Sequence, residues 1–334
     1  MKFGHSEVCL EHETGPRHPE TADRIRAIRK HLVRKHGVEY HDADPASIET
    51  VEAVHDPDYV ASIRAFCEQG GGDWDPDTVA VGATWDAALA SAGLACWVAR
   101  EAADRPADGE TPFSIGRPPG HHAVADDAMG FCFFNNAGVA AQHAIDRGDA
   151  DRVAVFDWDV HHGNGTQDIF YDREDVFYAS VHEEGLYPGT GAMSETGTGE
   201  AEGTTLNVPL QAGAGDGAYA AVIDDLLGPA LARFDPDLLL ISAGFDAHEH
   251  DPISRMQVSS EGYGMLADRV RAVATRHDAG LGFVLEGGYS LEMLAEGIGT
   301  VQEVFHGREP IEPDRDLDSD IAARFDAIRE TRDL

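Results

Sequence analysis

Short runs of β-branched and aromatic residues alternate along the chain with longer stretches of helical apolar periodicity. The runs at 113–115, 153–156, 176–181, 204–208, 238–242 and 282–285 read as strands. The stretches 21–36, 84–103, 135–147, 217–233, 261–277 and 291–305 read as helices, the first of them following a proline-rich turn around Pro16 and Pro19. The alternation of strand and helix predicts an α/β protein: a single domain with an open parallel sheet and helices on both faces. No internal repeat or long linker interrupts it. The pattern assigns 1–308 to the main domain and leaves 309–334 as an acidic surface helix or tail. In such a sheet, functional residues gather where strands end and loops begin on the carboxyl edge.

No apolar run reaches the ~20 residues that span a bilayer, and the first residues lack the basic-then-apolar pattern of a leader. A cytoplasmic location is therefore expected, with no membrane contact. Asp and Glu number 61 against 25 Lys and Arg, a formal net charge of −36, and only Lys2, Lys30 and Lys35 among the basic residues are lysines. Self-repulsion on that scale opposes compaction in dilute buffer and is screened in molar salt, which suggests the cytosol of a halophile. Without a basic stripe to neutralise phosphates, direct nucleic-acid binding is not expected. Cys9, Cys67, Cys96 and Cys132 stand singly, so neither a disulfide framework nor a thiolate metal site is indicated.

Four segments carry candidate chemistry, each just past a predicted strand. In 155–167 an apolar run passes into Asp157, Asp159 and His161, whose alternate spacing points them to one side of an extended chain. Asp246 follows the run at 238–242. Asp159, His161 and Asp246 form a mixed oxygen and nitrogen set with room for water or substrate, the open pattern of a catalytic zinc site, although iron(II), cobalt or manganese would also suit it. His121 and His122 follow a Pro-Pro-Gly turn and read as further ligands or as a general-base pair. At 286–289 a Gly-Gly turn lets the backbone approach a site and aims the Tyr289 hydroxyl at it.

Taken in order, RPPGHHA (117–123), GFCFFNN (130–136), DWDVHHGNGTQ (157–167), LYPGTG (186–191), NVPL (207–210), SAGFDAH (242–248) and EGGY (286–289) resemble the zinc-dependent histone deacetylase family, within the arginase–deacetylase fold. The likeness is nearest the class II enzymes and related bacterial and archaeal amidohydrolases, including acetylpolyamine deacetylases. It implies Asp159, His161 and Asp246 as ligands of one Zn2+ (or Fe2+ or Co2+). It makes His122 the general base and later acid, with His121 beside it oriented by Asp157. Asn164 would orient His122, where the class I pattern has an aspartate, and Tyr289 would stabilise the oxyanion. Phe131 and Tyr187 would wall the acyl-lysine tunnel, with Gly130 at its side, Ile253 at its mouth and Gly288 beside it. A structural K+ would be held by Asp157 and Ser180 with main-chain carbonyls of Trp158, Asp159, His161 and Val181.

The implied reaction is hydrolysis of an acetamide by metal-activated water. Polyamine-preferring relatives carry a glutamate after the Asp-Pro that follows the last ligand. This chain has Ile253 there, which favours acetylated lysine in proteins or peptides over small acetylated amines. Three rivals remain: the same chemistry on acetylpolyamines, an arginase-like dinuclear hydrolase, and a non-catalytic acyl-lysine binder. Oligomeric state is left open.

Overall fold

The computed structural model describes residues 1–104, 110–314, 317–332 and 334. Its main sheet is built from β1 (Lys2–Gly4), β2 (Glu39–His41), β3 (Pro112–Ser114), β4 (Val153–Asp157), β5 (Val176–Glu183), β6 (Thr205–Leu210), β7 (Leu238–Ala243) and β8 (Gly280–Leu285). These pair in the order β2-β1-β3-β8-β7-β4-β5-β6, with every neighbour parallel. A separate antiparallel hairpin joins Gly71–Asp73 to Val79–Val81.

A parallel sheet covered on both faces needs strands that are apolar throughout, and β4 illustrates this. Val153 and Val155 enter one core layer with Leu238 and Leu240. Ala154 and Phe156 enter the other with Leu239 and Ile241. Helices Thr84–Ala103 and Asn136–Arg147 close the first layer. Helices Ala22–Leu32, Ser260–Arg276 and Leu291–Phe305 close the second. The alanine-rich helix lies tight on the sheet: a Cβ at Gly282 would come within 2.3 Å of Val98. No helix among the described residues is long and apolar enough to cross a membrane.

Two details depart from the sequence pattern. The helix expected over 217–233 runs as Asp216–Val222 and Gly228–Phe234 with a π-turn at Ile223–Leu227 between them. The outer strands β1 and β2 were not signalled, because three residues are too few to show a period. The last helix, Ser319–Arg332, buries Ile321, Phe325 and Ile328 in the second core layer.

Register aligns the chemistry. Asp157 lies opposite Ser180 of β5 on one side and Ser242 of β7 on the other. The central strands β3, β8, β7 and β4 therefore deliver their following loops to one stretch of the carboxyl edge.

Candidate active site

Two of those loops, the ones after β4 and β7, bring Asp159, His161 and Asp246 together, with one potential ligand atom of each within 4.8 Å of the others. His161 Nδ1 lies 3.0 Å from Asp159 Oδ1 and 3.3 Å from Asp246 Oδ2. Backbone amides fix the remaining oxygens: Val160 N–H donates to Asp246 Oδ1 at 3.0 Å and Gly287 N–H to Asp159 Oδ2 at 2.8 Å. Asp246 Oδ2 is buried and receives no hydrogen bond. Burial, and then the charge of Asp159, push the Asp246 carboxyl above its usual range. Two buried carboxylates and an imidazole, one oxygen of them unsatisfied, fit a divalent cation. Glycine at 287 keeps the place open, since a Cβ there would reach 2.1 Å from Asp246 Oδ2.

Beside this cluster, His121 and His122 are both buried. His121 Nδ1 bonds Asp157 Oδ2 at 2.9 Å, and His122 Nδ1 bonds Asn164 Oδ1 at 2.8 Å. The Asn164 amide donates to the carbonyl of His122, which turns its oxygen toward the ring and requires Nδ1 of His122 to carry the proton. Nε2 of a neutral His122 is then free to accept one. The two imidazoles separate electrostatically. Burial works against charge on His121, but Asp157 and then Asp159 overcome it and raise the group to about 10. Burial, followed by the neighbouring His121 and His161, holds His122 well below the usual imidazole range.

Tyr289 comes from the loop after β8. Burial pushes its phenol well above the usual range, so it remains a neutral donor. The Phe131 ring meets the Tyr289 ring edge-on at 5.9 Å, and Tyr187 meets His122 in the same way at 5.1 Å. Gly130, at φ +56°, passes against His122 and Tyr187 with no room for a side chain.

A histone deacetylase domain model matches residues 18–305 of this chain. The chain belongs to the histone deacetylase family. It is 39% identical over 328 residues to histone deacetylase 10, chloroplastic, of Oryza sativa subsp. japonica, covering 92% of this chain and 72% of the relative. The crystal structure of the HDA15 HD domain superposes with a TM-score of 0.90 at 32% identity, covering 99% of this chain and 96% of that one. The acetylpolyamine aminohydrolase of Burkholderia pseudomallei gives 0.82 at 30% identity, covering 92% and 99%. The fold is thus that of the deacetylase branch of the arginase–deacetylase proteins, and the chain is a deacetylase-family amidohydrolase.

Other expected positions of this deacetylase fall around the same edge. Ser180 Oγ bonds His182 Nδ1 at 2.9 Å, and Asp157 Oδ1 accepts the Asp159 amide at 3.1 Å. The side chain of Trp158 lies in the core, and Val181 is buried with it. Ile253 sits on the loop after Asp246, and its amide donates to Asp251 Oδ1 at 3.2 Å. His18 packs on Phe131 at 4.7 Å, whereas His12 is buried against Thr84 and Phe133.

The supports for these groups were not assigned from the sequence. Glu286 is buried and accepts the amides of Gly120 and His121 at 2.7 and 3.1 Å, pinning the histidine turn. Arg24 donates to the carbonyls of Gly288 and Glu286 and stacks over Tyr289 at 5.1 Å. Buried Glu20 joins Arg24 to Arg117, whose guanidinium also holds the carbonyls of Cys9 and His12. Glu286 had one visible signal, a carboxylate beside the Gly-Gly turn. Arg24 and Glu20 had none.

Proposed function

We propose that this deacetylase removes the acetyl group from the ε-amine of lysine in proteins or peptides. The observation that carries the reading is the unlike pairing of two adjacent histidines, one on a carboxylate and one on an amide, beside the Asp159–His161–Asp246 cluster. We assign that cluster one Zn2+, with iron(II) or cobalt as alternatives; when bound, such a cation lowers the pKa of water and polarises the acetyl carbonyl. His122 Nε2 then takes the proton of the attacking water, and Asn164 keeps Nδ1 protonated throughout. A positioned base of this kind contributes about 10²–10⁴-fold. His121, kept charged by Asp157, discourages a resting charge on His122, and the same His122 returns the proton to the departing amine. The Tyr289 hydroxyl donates to the developing oxyanion, a contribution of about 10²–10³-fold. Phe131, Tyr187 and Gly130 flank the aliphatic stem of the substrate, with Gly288 and Ile253 toward its base and mouth. A structural K+ at Asp157 and Ser180, with the carbonyls of Trp158, Asp159, His161 and Val181, belongs to the same reading. So do a cytoplasmic location and the absence of nucleic-acid partners.

A second reading, deacetylation of small acetylated amines, is favoured by the likeness to the acetylpolyamine aminohydrolase. Apolar Ile253 offers no partner to a second ammonium and weighs against it. The test is kcat/KM on an acetyl-lysine peptide beside an N-acetylpolyamine in molar KCl with zinc, with and without a hydroxamate. Hydroxamate-sensitive turnover favouring the peptide supports the first reading, and preference for the polyamine replaces it with the second. No turnover of either by the folded, metal-loaded protein overturns both.

A further inference from the structure

Asp251 lies five residues past Asp246 and is only 7% exposed. Among the described residues no cationic side chain pairs with it. Three backbone amides satisfy it instead: Ile253 N–H on Oδ1 at 3.2 Å, with Tyr289 N–H and Ser290 N–H on Oδ2 at 2.7 and 2.9 Å. Burying a carboxylate without a counter-charge is costly unless its oxygens are well bonded.

Simple capping of helix Leu291–Phe305 does not explain this choice of amides. A cap satisfies the free N–H groups of the first turn, beyond the cap residue. The bonds here fall on Ser290, the cap residue itself, and on Tyr289 before it. The carboxylate therefore grips the turn that carries the phenol. Arg24 holds that turn from its other side through the Gly288 carbonyl, at 2.8 Å. The remaining oxygen accepts the Ile253 amide within Asp251's own loop, so the one carboxylate joins that loop to the turn.

We infer that Asp251 is a positioning residue: its carboxylate fixes the Tyr289 hydroxyl for oxyanion stabilisation and couples that hydroxyl to the Ile253 loop. The inference rests on the role given to Tyr289 above. In Asp251→Ala the turn loses its anchor, so kcat falls about 10²-fold, within what one oxyanion donor supplies, while KM moves less than threefold. Asp251→Asn retains one acceptor oxygen for the Tyr289 turn and loses the bond to Ile253, so its kcat lies between the alanine variant and the wild type.

The deciding comparison is a cycle with Tyr289→Phe, with zinc content and thermal melting measured for every variant. If Asp251 acts through Tyr289, the double variant is no slower than Tyr289→Phe alone. Losses that multiply, or a kcat that falls in proportion to zinc content, overturn the inference. Hydrogen exchange at the Tyr289 and Ser290 amides reads the anchor without turnover. Faster exchange there and at Ile253 in Asp251→Ala, with other protected amides unchanged, supports the anchor; unchanged exchange at these sites, or a general loss of protection, overturns it. A wild type that hydrolyses neither substrate overturns the functional reading, while the exchange result still decides the anchor.

Discussion

His121 and His122 stand with ring centroids 4.0 Å apart, yet the first leans on the Asp157 carboxylate and the second on the Asn164 amide. Two imidazolium ions at that spacing would repel strongly, so the proton settles on the ring with the carboxylate. Asn164→Asp gives both rings a carboxylate and raises the pKa of His122. Less neutral base is then present at a given pH. The acidic limb of the kcat/KM profile moves upward by about one unit or more, and activity falls most at low pH. A limb that stays in place in Asn164→Asp would show that His122 is not the titrating base.

Removal of the metal tests the acid–imidazole cluster. The unsatisfied Asp246 Oδ2 and the 3.0 and 3.3 Å approaches of His161 predict one divalent ion per chain. Chelation abolishes hydrolysis, and restoring zinc, iron(II) or cobalt in turn ranks the ions. Asp246→Asn lowers metal content below one per chain and reduces turnover by more than about 10²-fold, beyond the loss typical of outer supports to a metal site. Full metal content and full activity in that variant would remove Asp246 from the site.

Gly130 makes a steric prediction. Its φ of +56° is already costly for a side chain, and a Cβ would lie 2.4 Å from His122 Cδ2 and 3.0 Å from Tyr187 Cε1. Gly130→Ala displaces the His122 ring, and a shift approaching 1 Å costs about 10²-fold in kcat/KM. Metal content is expected to stay at the wild-type level, because His161 and both aspartates lie on other loops. Loss of metal together with activity would trace the effect to general damage.

The central sheet and the chemical residues were legible because each leaves a local pattern. Strands β4 and β7 are apolar runs that pass into polar groups, and Asp159, His161 and Asp246 just beyond those ends are the ones that meet. The strands Lys2–Gly4 and Glu39–His41, at one end of the sheet, are too short to show a period; pairing with each other and, for the first, with β3 forms them. The supports were hidden for a different reason. Arg24 and Glu20 sit at the start of an ordinary amphipathic helix; the role of Arg24 depends on the carbonyl of Gly288, and that of Glu20 on Arg24 and the distant Arg117. Asp251 stands in the sequence only as the Asp of an Asp-Pro pair, although its partners are the amides of Tyr289 and Ser290.

Buried neutral histidines make the fold sensitive to acid. His55 bonds the Val124 carbonyl through Nδ1 and accepts the Asn135 amide at Nε2, both at 2.9 Å, so a second proton would break a bond. Burial lowers His55, and likewise His12, to about 4. Above pH 6.5 both folded and unfolded chains are neutral at these sites. Between pH 6.5 and 4 the unfolded chain takes up protons the folded chain refuses, so stability falls by up to about 1.4 kcal/mol per pH unit for each group. Glu20 resists burial through Arg117 and Arg24 and is lowered to about 2. Its contribution is present above about pH 4.5 and is lost as pH falls toward 2. Denaturant midpoints at pH 7.5, 5.5 and 4.5 check the first window, and His55→Gln flattens the slope. An unchanged slope in that variant would assign the sensitivity elsewhere.

Salt should act in two separable ways. With a formal charge of −36, the folded chain repels itself over a screening length that shrinks from ~10 Å at 0.1 M to ~3 Å at 1 M salt. The melting temperature therefore rises steadily with ionic strength, whichever monovalent cation is used, since screening depends on charge and concentration. A cation held at Asp157 and Ser180 is different, because a site of fixed oxygens discriminates by size. It would also be felt at the chemistry, since Asp157 Oδ2 is the partner of His121. At matched ionic strength, KCl, NaCl and CsCl should then differ in kcat, highest in KCl, and the site adds a KCl-specific rise in melting temperature to the common screening effect. Identical kcat in all three salts would leave screening as the whole effect and remove the K+ site from the proposal.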